Sequence, residues 1–246
     1  MIHWQGDGIV LGFRPFGEQK AIVSVLTKDH GRMAGMVRLT KALRLQGGLQ
    51  SGMQIAFQWQ ARLDTHLGTV SLEVKSSMMG HVLGNPGKLL ALNAATLLLH
   101  ELCPERHPYP ILYDGLDYFI KSLKLENWPE SYSHLEEKVL QEMGFGLKLK
   151  ACCVTGSVDD LVYVSPKTGR AVSLDAGKPY HDKLLKLPAF LGDLDKRAQS
   201  LQEILEGFSL MGYFLEKHMP QNSYKKVDLV RAQLIKTFEK QLEKAP

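Results

Sequence analysis

Cysteine is scarce in this chain: three in 246 residues, two of them adjacent at Cys152 and Cys153. Three thiols make no disulfide framework, and a chain of this length buries an adequate core without one. Long apolar runs are missing too. The most apolar stretch, Leu89 to Leu99, is interrupted by Asn93 and falls well short of the ~20 residues a membrane-crossing helix needs. The opening MIHWQGDGIVLGF has no basic segment ahead of an apolar one, so no signal peptide is expected. These absences together predict a soluble protein of a reducing cytoplasm, with no membrane partner. An excess of one charge is nearly absent as well, since 30 Lys and Arg against 26 Asp and Glu leave only +4. With 44% hydrophobic and 23% charged residues, the chain is neither disordered nor fibrous in composition.

Catalytic signatures are also lacking. Gly84–Leu90, GNPGKLL, looks like a phosphate-binding loop, but Val82 and Leu89 stand where the motif needs glycine and a hydroxyl residue. The segment reads as a turn into a helix. His100-Glu101 opens like a zinc-protease helix, yet Pro104 occupies the place of the second histidine. No Gly-x-Ser-x-Gly elbow and no dinucleotide fingerprint occurs, and the nine histidines are scattered. Nothing pairs an acid with a base, so no enzyme activity and no cofactor are expected. A zinc ribbon takes two Cys-x-x-Cys pairs; here Cys152-Cys153-Val154-Thr155-Gly156 supplies at most two local thiolates, and no metal is expected.

What is present is patterned charge and patterned hydrophobicity. Residues 1–80 carry nine cations and five anions, residues 81–147 five and nine, and residues 148–246 sixteen and twelve. The blocks are basic, acidic and basic, an asymmetry that points to an anion-binding face better than the total does. Along Met53–Leu63, Ile55, Phe57, Trp59, Ala61 and Leu63 alternate with polar or small residues, the period-two pattern of a half-buried strand. Val70, Leu72 and Val74 repeat it, and Gly8–Phe13, Ala21–Thr27 and Met33–Leu39 are β-rich. Five short strands in about 75 residues predict a small closed barrel, since closure removes exposed edges. Helical spacing follows: Leu89–Leu102 apolar nearly all round, then stripes at Leu112–Leu123, Leu201–Leu215 and Val227–Leu242. Ser133 and Glu136 suggest a capping box. Between the helices, Lys148–Asp175 is turn-rich.

The barrel's cations are Arg14, Lys20, Lys28, Arg32, Arg38, Lys41, Arg44, Arg62 and Lys75. Arg38, Lys41 and Arg44 fall three apart between the third and fourth strands, which on a helix gives one basic side suited to phosphates. Five-stranded barrels of the oligonucleotide-binding type use a strand face and loops for single strands, and Phe13, Phe16 or Trp4 offer stacking surfaces or barrel core. A solvated surface of scattered cations accounts for the composition equally well.

The stretch GIVLGFRPFGEQKAIVSVLTKDHGRMAGMVRL resembles the N-terminal signature of the bacterial DNA repair protein RecO family. The matching elements are Gly8–Leu11, Arg14, Gly17-Glu18, Leu26-Thr27 with Gly31-Arg32, and Arg38 to Arg44. CVTGSVDDLVYVSPKTGRAVS resembles that family's central insert in a form without zinc. The resemblance covers essentially the whole chain. It implies an α+β fold: an N-terminal five-stranded OB-fold barrel over 1–80, then a helical domain over 81–246 with a small zinc-free, knuckle-like insert at 148–178. It implies a recombination mediator that binds single- and double-stranded DNA and anneals complementary strands. With RecR it would help load RecA onto single strands coated by the single-stranded DNA-binding protein SSB, whose acidic C-terminal tail would need a groove flanked by cations. Members that hold zinc use four cysteines; aligned on Gly156 and Gly169, only Cys152 stands at such a position here, with Thr155, Ser173 and Ala176 at the others. Leu161, Val162, Tyr163 and Val172 would then pack the insert shut.

The expected DNA contacts are Arg14, Lys20, Arg32, Arg38, Lys41, Arg44 and Arg62, with Arg32 and the 38–44 cluster foremost. Lys217, Lys225 and Lys226 are candidate cations of a partner groove. Two other readings remain open: a helical protein–protein adaptor whose barrel is a docking module, and an RNA-binding barrel protein.

Overall fold

The computed structural model describes residues 1–45, 47–63, 66–193 and 195–244. Its first five strands are β1 (Ile2–Pro15), β2 (Lys20–Thr27), β3 (Gly31–Arg38), β4 (Gln54–Ala61) and β5 (Gly68–Ser76), with a short helix α1 (Lys41–Leu45) between β3 and β4. They close into a barrel in the order β1-β2-β3-β5-β4, antiparallel except for β3 against β5. This is the expected OB-type barrel, the first part of an α+β fold.

The first strand is longer than its apolar run suggests. Residues 2–9 pair with β4 and residues 8–15 with β2, and a register shift between Val10 and Gly12 lets one strand serve both neighbours. Gly6 and Gly8 interrupt the alternation begun by Ile2 and Trp4, so the sequence pattern hides the first half. Along β4 the alternation is real: Ile55, Phe57, Trp59 and Ala61 are buried with Val10, Val23, Val25, Val37 and Val70. Leu63 is the exception; it lies past the end of β4 and is exposed. Leu43 of α1 joins the same core. Trp59 donates its indole N–H to the Ala34 carbonyl at 3.0 Å, which satisfies the one polar atom it buries.

Three helices follow: α2 (Met79–Val82), α3 (Pro86–Leu102) and α4 (Pro110–Ser122). The GNPGKLL segment is a helix start, where the Asn85 side chain accepts from the Lys88 N–H and Pro86 begins the first turn. Residues Met1–Lys124 form one compact unit, so α3 and α4 belong with the barrel, and Leu125–Pro246 form a second.

The second unit contains α5 (Trp128–Glu142), β6 (Leu161–Val164), β7 (Ala171–Ser173), α6 (Leu174–Gly177), a 3₁₀ turn (Lys178–Lys183), β8 (Leu185–Lys186), α7 (Ala189–Gly192), α8 (Leu201–His218) and α9 (Gln221–Leu242). The short strands form a sheet in the order β7-β6-β8. The capping box expected at Ser133 is not one: α5 begins at Trp128, and the buried Ser133 hydroxyl donates to the Pro129 carbonyl. Glu136 has a different role. It is fully buried and accepts from Arg231 of α9, Nε to Oε1 at 2.7 Å and Nη2 to Oε2 at 3.1 Å. Arg231 also donates to the Phe208 carbonyl of α8. On α8, a Cβ at Gly212 would approach the Arg231 Nη1 to 2.5 Å, so only glycine leaves room for the guanidinium. Burial and the neighbouring Glu136 push the Tyr132 hydroxyl well above its ordinary 10, which keeps it neutral beside the pair.

Candidate nucleic-acid interface

Ala21, Val23 and Val25 of β2 face the barrel interior, so Lys20, Ile22, Ser24 and Leu26 face outward. Across β3 their partners are Arg38, Met36, Ala34 and Arg32; across β1, Arg14 lies opposite Ile22 and Ile9 opposite Leu26. Burial falls along this outer face, from Leu26 at 0% exposure through Ser24 at 6% to the exposed Lys20. One half of the face is covered. The His100 Nδ1 of α3 lies 3.1 Å from the Ser24 hydroxyl, and Arg32 donates from Nε to the Cys103 carbonyl at 2.7 Å and from Nη1 to Glu105 at 3.2 Å. Cys103 caps the C-terminus of α3, where a cation is favoured by the helix dipole. The chain beyond it straps the barrel. The Arg106 N–H donates to the Arg32 carbonyl, and His107 lies so near Gly31 that a Cβ there would meet its oxygen at 2.0 Å. Gly31 also has φ +69°, a left-handed conformation that favours glycine.

The other half is open. Arg14, Lys20 and Arg38 share it with the half-buried Ile22 and Met36. Two contacts bring α1 against the β1–β2 turn: the Leu39 N–H donates to the Gln19 carbonyl at 2.8 Å, and the Arg44 Nη2 donates to the Glu18 carbonyl at 3.3 Å. Thr40 caps α1 by accepting from the Leu43 N–H. Lys41 and Arg44 therefore join Arg14, Lys20 and Arg38 at one end of the barrel. Among the described residues no carboxylate pairs with any of these five. Lys20 and Arg38 are directly opposed across the ladder, an arrangement of like charges that destabilises unless an anion comes to it. Lys28 and Lys75, by contrast, pair with Asp114 and Asp7.

Two expected contacts lie elsewhere. The Arg32 side chain is only 17% exposed and is held by Cys103 and Glu105. Arg62 follows β4 beyond the Ala61–Ile2 pair and shares no register row with the group. Of the three aromatic candidates, Trp4 is sandwiched between His30 and Trp59 at centroid distances of 4.8 and 4.7 Å, while Phe13 and Phe16 are exposed.

Comparison with known proteins agrees over nearly the whole chain. Residues 1–78 match the family model described as recombination protein O N terminal, and residues 84–227 the one described as recombination protein O C terminal. The chain belongs to the RecO family. It is 39% identical to the DNA repair protein RecO of Rhodospirillum centenum over 97% of this chain and 96% of that one. Against the DNA repair protein RecO of Bartonella quintana it is 40% identical over 96% and 98%, and against that of Brucella abortus 41% over 89% and 88%. Membership of the RecO family places the chain in DNA repair and recombination. Among the described residues, no helix is long and apolar enough to cross a membrane.

In RecO terms the insert of the second unit departs from a metal knuckle. Cys152, Tyr163 and Val172 form a small buried cluster, against which Leu161, Val162, Ala176 and Leu184 pack. The Cys152 sulfur accepts from the Ser173 N–H at 3.3 Å and from the Ser173 hydroxyl at 3.4 Å. Burial alone would raise this thiol, but the hydrogen bonds from Ser173 and Thr155 outweigh it and bring the pKa down to about 6. One thiolate, two hydroxyls and a methyl group are a poor donor set for zinc, and among the described residues no three His, Cys, Asp or Glu side chains are grouped to hold a metal. Lys217 anchors the same insert: its Nζ donates to the Pro166 carbonyl at 2.6 Å and lies over the Tyr213 and Phe214 rings. Lys225 and Lys226 are exposed on α9. A cleft of about 1130 Å³ opens in this unit among α5, the insert and α7, lined by Lys138, Lys150 and Lys196 and by the acids Glu137, Asp159, Asp160, Asp193 and Glu203; none of Lys217, Lys225 and Lys226 lines it.

Proposed function

We propose that this chain is a recombination mediator that works by binding rather than by catalysis. It holds single- and double-stranded DNA on the open end of its barrel and anneals complementary strands. With RecR it helps load RecA onto SSB-coated single strands in the bacterial cytoplasm, at the nucleoid during repair. The functional division is a DNA-binding domain over 1–80 and a helical domain over 81–246 with its insert at 148–178. Arg14, Lys20, Arg38, Lys41 and Arg44 are the main phosphate contacts. Arg62 is a peripheral one, and Arg32 acts chiefly by holding the barrel to α3. Lys225 and Lys226 are the cations offered to the acidic SSB tail.

One observation carries this reading: five cations from three strands and a helix converge without a carboxylate partner among the described residues. Such a cluster gives sequence-independent, salt-sensitive affinity for a polyanion. It also lowers the repulsion between two backbones, which annealing requires. The test is fluorescence anisotropy with labelled single-stranded DNA, duplex DNA and single-stranded RNA at several salt concentrations. DNA binding that weakens steeply with salt is expected, and the Arg38→Glu/Lys41→Glu/Arg44→Glu variant should have a slope shallower by about two. Absence of DNA binding at low salt would remove the reading. A clear preference for RNA would redirect it to an RNA-binding barrel.

A further inference from the structure

We infer that Glu18 is a specificity-determining residue of the barrel's open end: its carboxylate lowers the affinity of that end for duplexes more than for single strands. The inference rests on the DNA-binding reading of that end and concerns a residue which that reading leaves out.

Acids are rare around the five cations. Residues 8–53 build the second half of β1, then β2, β3, α1 and the turns between them, and only Glu18 and Asp29 among them are acidic. Asp29 lies in the β2–β3 turn, at the opposite end of β2 from Lys20. Glu18 lies in the β1–β2 turn. The Leu39 N–H donates to the Gln19 carbonyl at 2.8 Å, which carries the β2–β3 register one step past the Lys20–Arg38 pair. Glu18 is the next residue along, and the Arg44 Nη2 of α1 donates to its carbonyl at 3.3 Å. Glu18 therefore stands where the Lys20–Arg38 rung meets the helix that carries Lys41 and Arg44.

The Glu18 side chain is exposed and, among the described residues, makes no ion pair with any of the five cations. Arg44 is anchored through the Glu18 backbone, so the carboxylate is not what holds α1 in place. A free negative charge beside cations that collect phosphates repels part of what they attract. That repulsion grows with the number of phosphates inside a Debye length, about 8 Å at physiological salt. A duplex carries one charge per ~1.7 Å of its axis, and each of its strands one per ~3.4 Å. The carboxylate thus meets about twice the charge in a duplex as in one strand on the same path. A single strand can also bend its phosphates toward the cations and away from Glu18, whereas a duplex is stiff over about 150 base pairs. One pair of like charges about 8 Å apart in water changes affinity roughly two-fold. The effect is small for one strand and compounds for two.

The test is fluorescence anisotropy with the full chain, labelled oligo-dT and a duplex of equal length. Glu18→Gln should tighten oligo-dT binding by less than about two-fold and duplex binding by about three- to five-fold. Glu18→Lys should raise the duplex-to-single-strand affinity ratio further. Glu18→Asp keeps the charge and should keep the wild-type ratio. An unchanged ratio in Glu18→Gln overturns the inference and leaves Glu18 a solvated acid. Weaker binding of both ligands in that variant also overturns it, by making Glu18 a residue that positions the cations. So does a Glu18→Asp ratio that follows Glu18→Gln, since the charge is retained. Failure of the wild type to bind either ligand overturns the cationic interface itself, and this inference with it.

Discussion

Arginine does opposite work in the two compact units. In the helical unit Arg231 is 3% exposed, holds Glu136 through two hydrogen bonds and reaches the Phe208 carbonyl, so three helices meet on one guanidinium. At the open end of the barrel Arg14 and Arg38 are exposed and have no acid partner among the described residues. Arg32 stands between these extremes, on the same strand as Arg38 but turned to the C-terminus of α3. Removing water from a charge is expensive, so a buried cation exists only with its anion in place and becomes part of the architecture. An exposed cation costs little to keep and leaves its field available to a ligand. A net charge of +4 adds both kinds together.

Four measurements would break or sharpen that contrast. The largest effect is expected at the buried pair. Glu136→Ala should cost about 3–5 kcal/mol in urea unfolding, because it strands Arg231 without its anion. Replacing both residues with apolar ones, as Glu136→Leu/Arg231→Met, should recover most of that loss; a double variant as unstable as the single one would mean that the pair's hydrogen bonds, and not charge burial, hold the helices. Arg32→Ala should come next, about 1–3 kcal/mol through its lost charge-assisted bonds, while the salt slope of DNA binding stays near that of the wild type. A slope reduced by a full phosphate contact would return Arg32 to the interface. Third, Arg38→Glu/Lys41→Glu/Arg44→Glu should change unfolding by no more than about 0.5 kcal/mol per site although its DNA affinity falls steeply.

The smallest effect is a pH dependence of the insert. The Cys152 thiol is lowered to about 6 in the folded chain and returns to an ordinary thiol value, about 8.5, when unfolded. Its contribution is therefore complete above about pH 8.5 and is lost as pH falls through about 6. Hydrogen exchange at the Ser173 amide, which donates to this sulfur, should show protection rising between pH 6 and 8.5 after correction for intrinsic exchange. Cys152→Ser should remove the rise; a rise persisting in that variant would place the titrating group elsewhere.

Much of the fold was legible because it rests on local periodicity. The alternation at Ile55, Phe57 and Trp59 and the stripes of α3, α4, α8 and α9 report directly which side chains leave water. The first half of β1 was not legible, since Gly6 and Gly8 contribute no apolar face and its pairing to β4 is remote in sequence. Ser133 and Glu136 have the spacing of a capping box, yet that spacing occurs equally in a helix interior; only the arrival of Arg231, 95 residues away, distinguishes the two. At the interface, residue type and spacing drew attention to Arg38, Lys41 and Arg44. The same criteria ranked Arg32 beside them, because nothing near it in sequence reveals Cys103 and Glu105.

The sequence by itself determined the class of molecule: a barrel followed by helices, and RecO family membership. These follow from residue identity and from periods of two and 3.6, which act over a few neighbouring residues. Tertiary structure decided which charges face solvent. The outer face of β2 and β3 carries Lys20 and Arg38 at one end and Leu26 and Arg32 at the other, and α3 covers only the second. Burial sets whether a cation becomes a structural contact or a ligand contact, and burial depends on segments that meet only when the chain has folded.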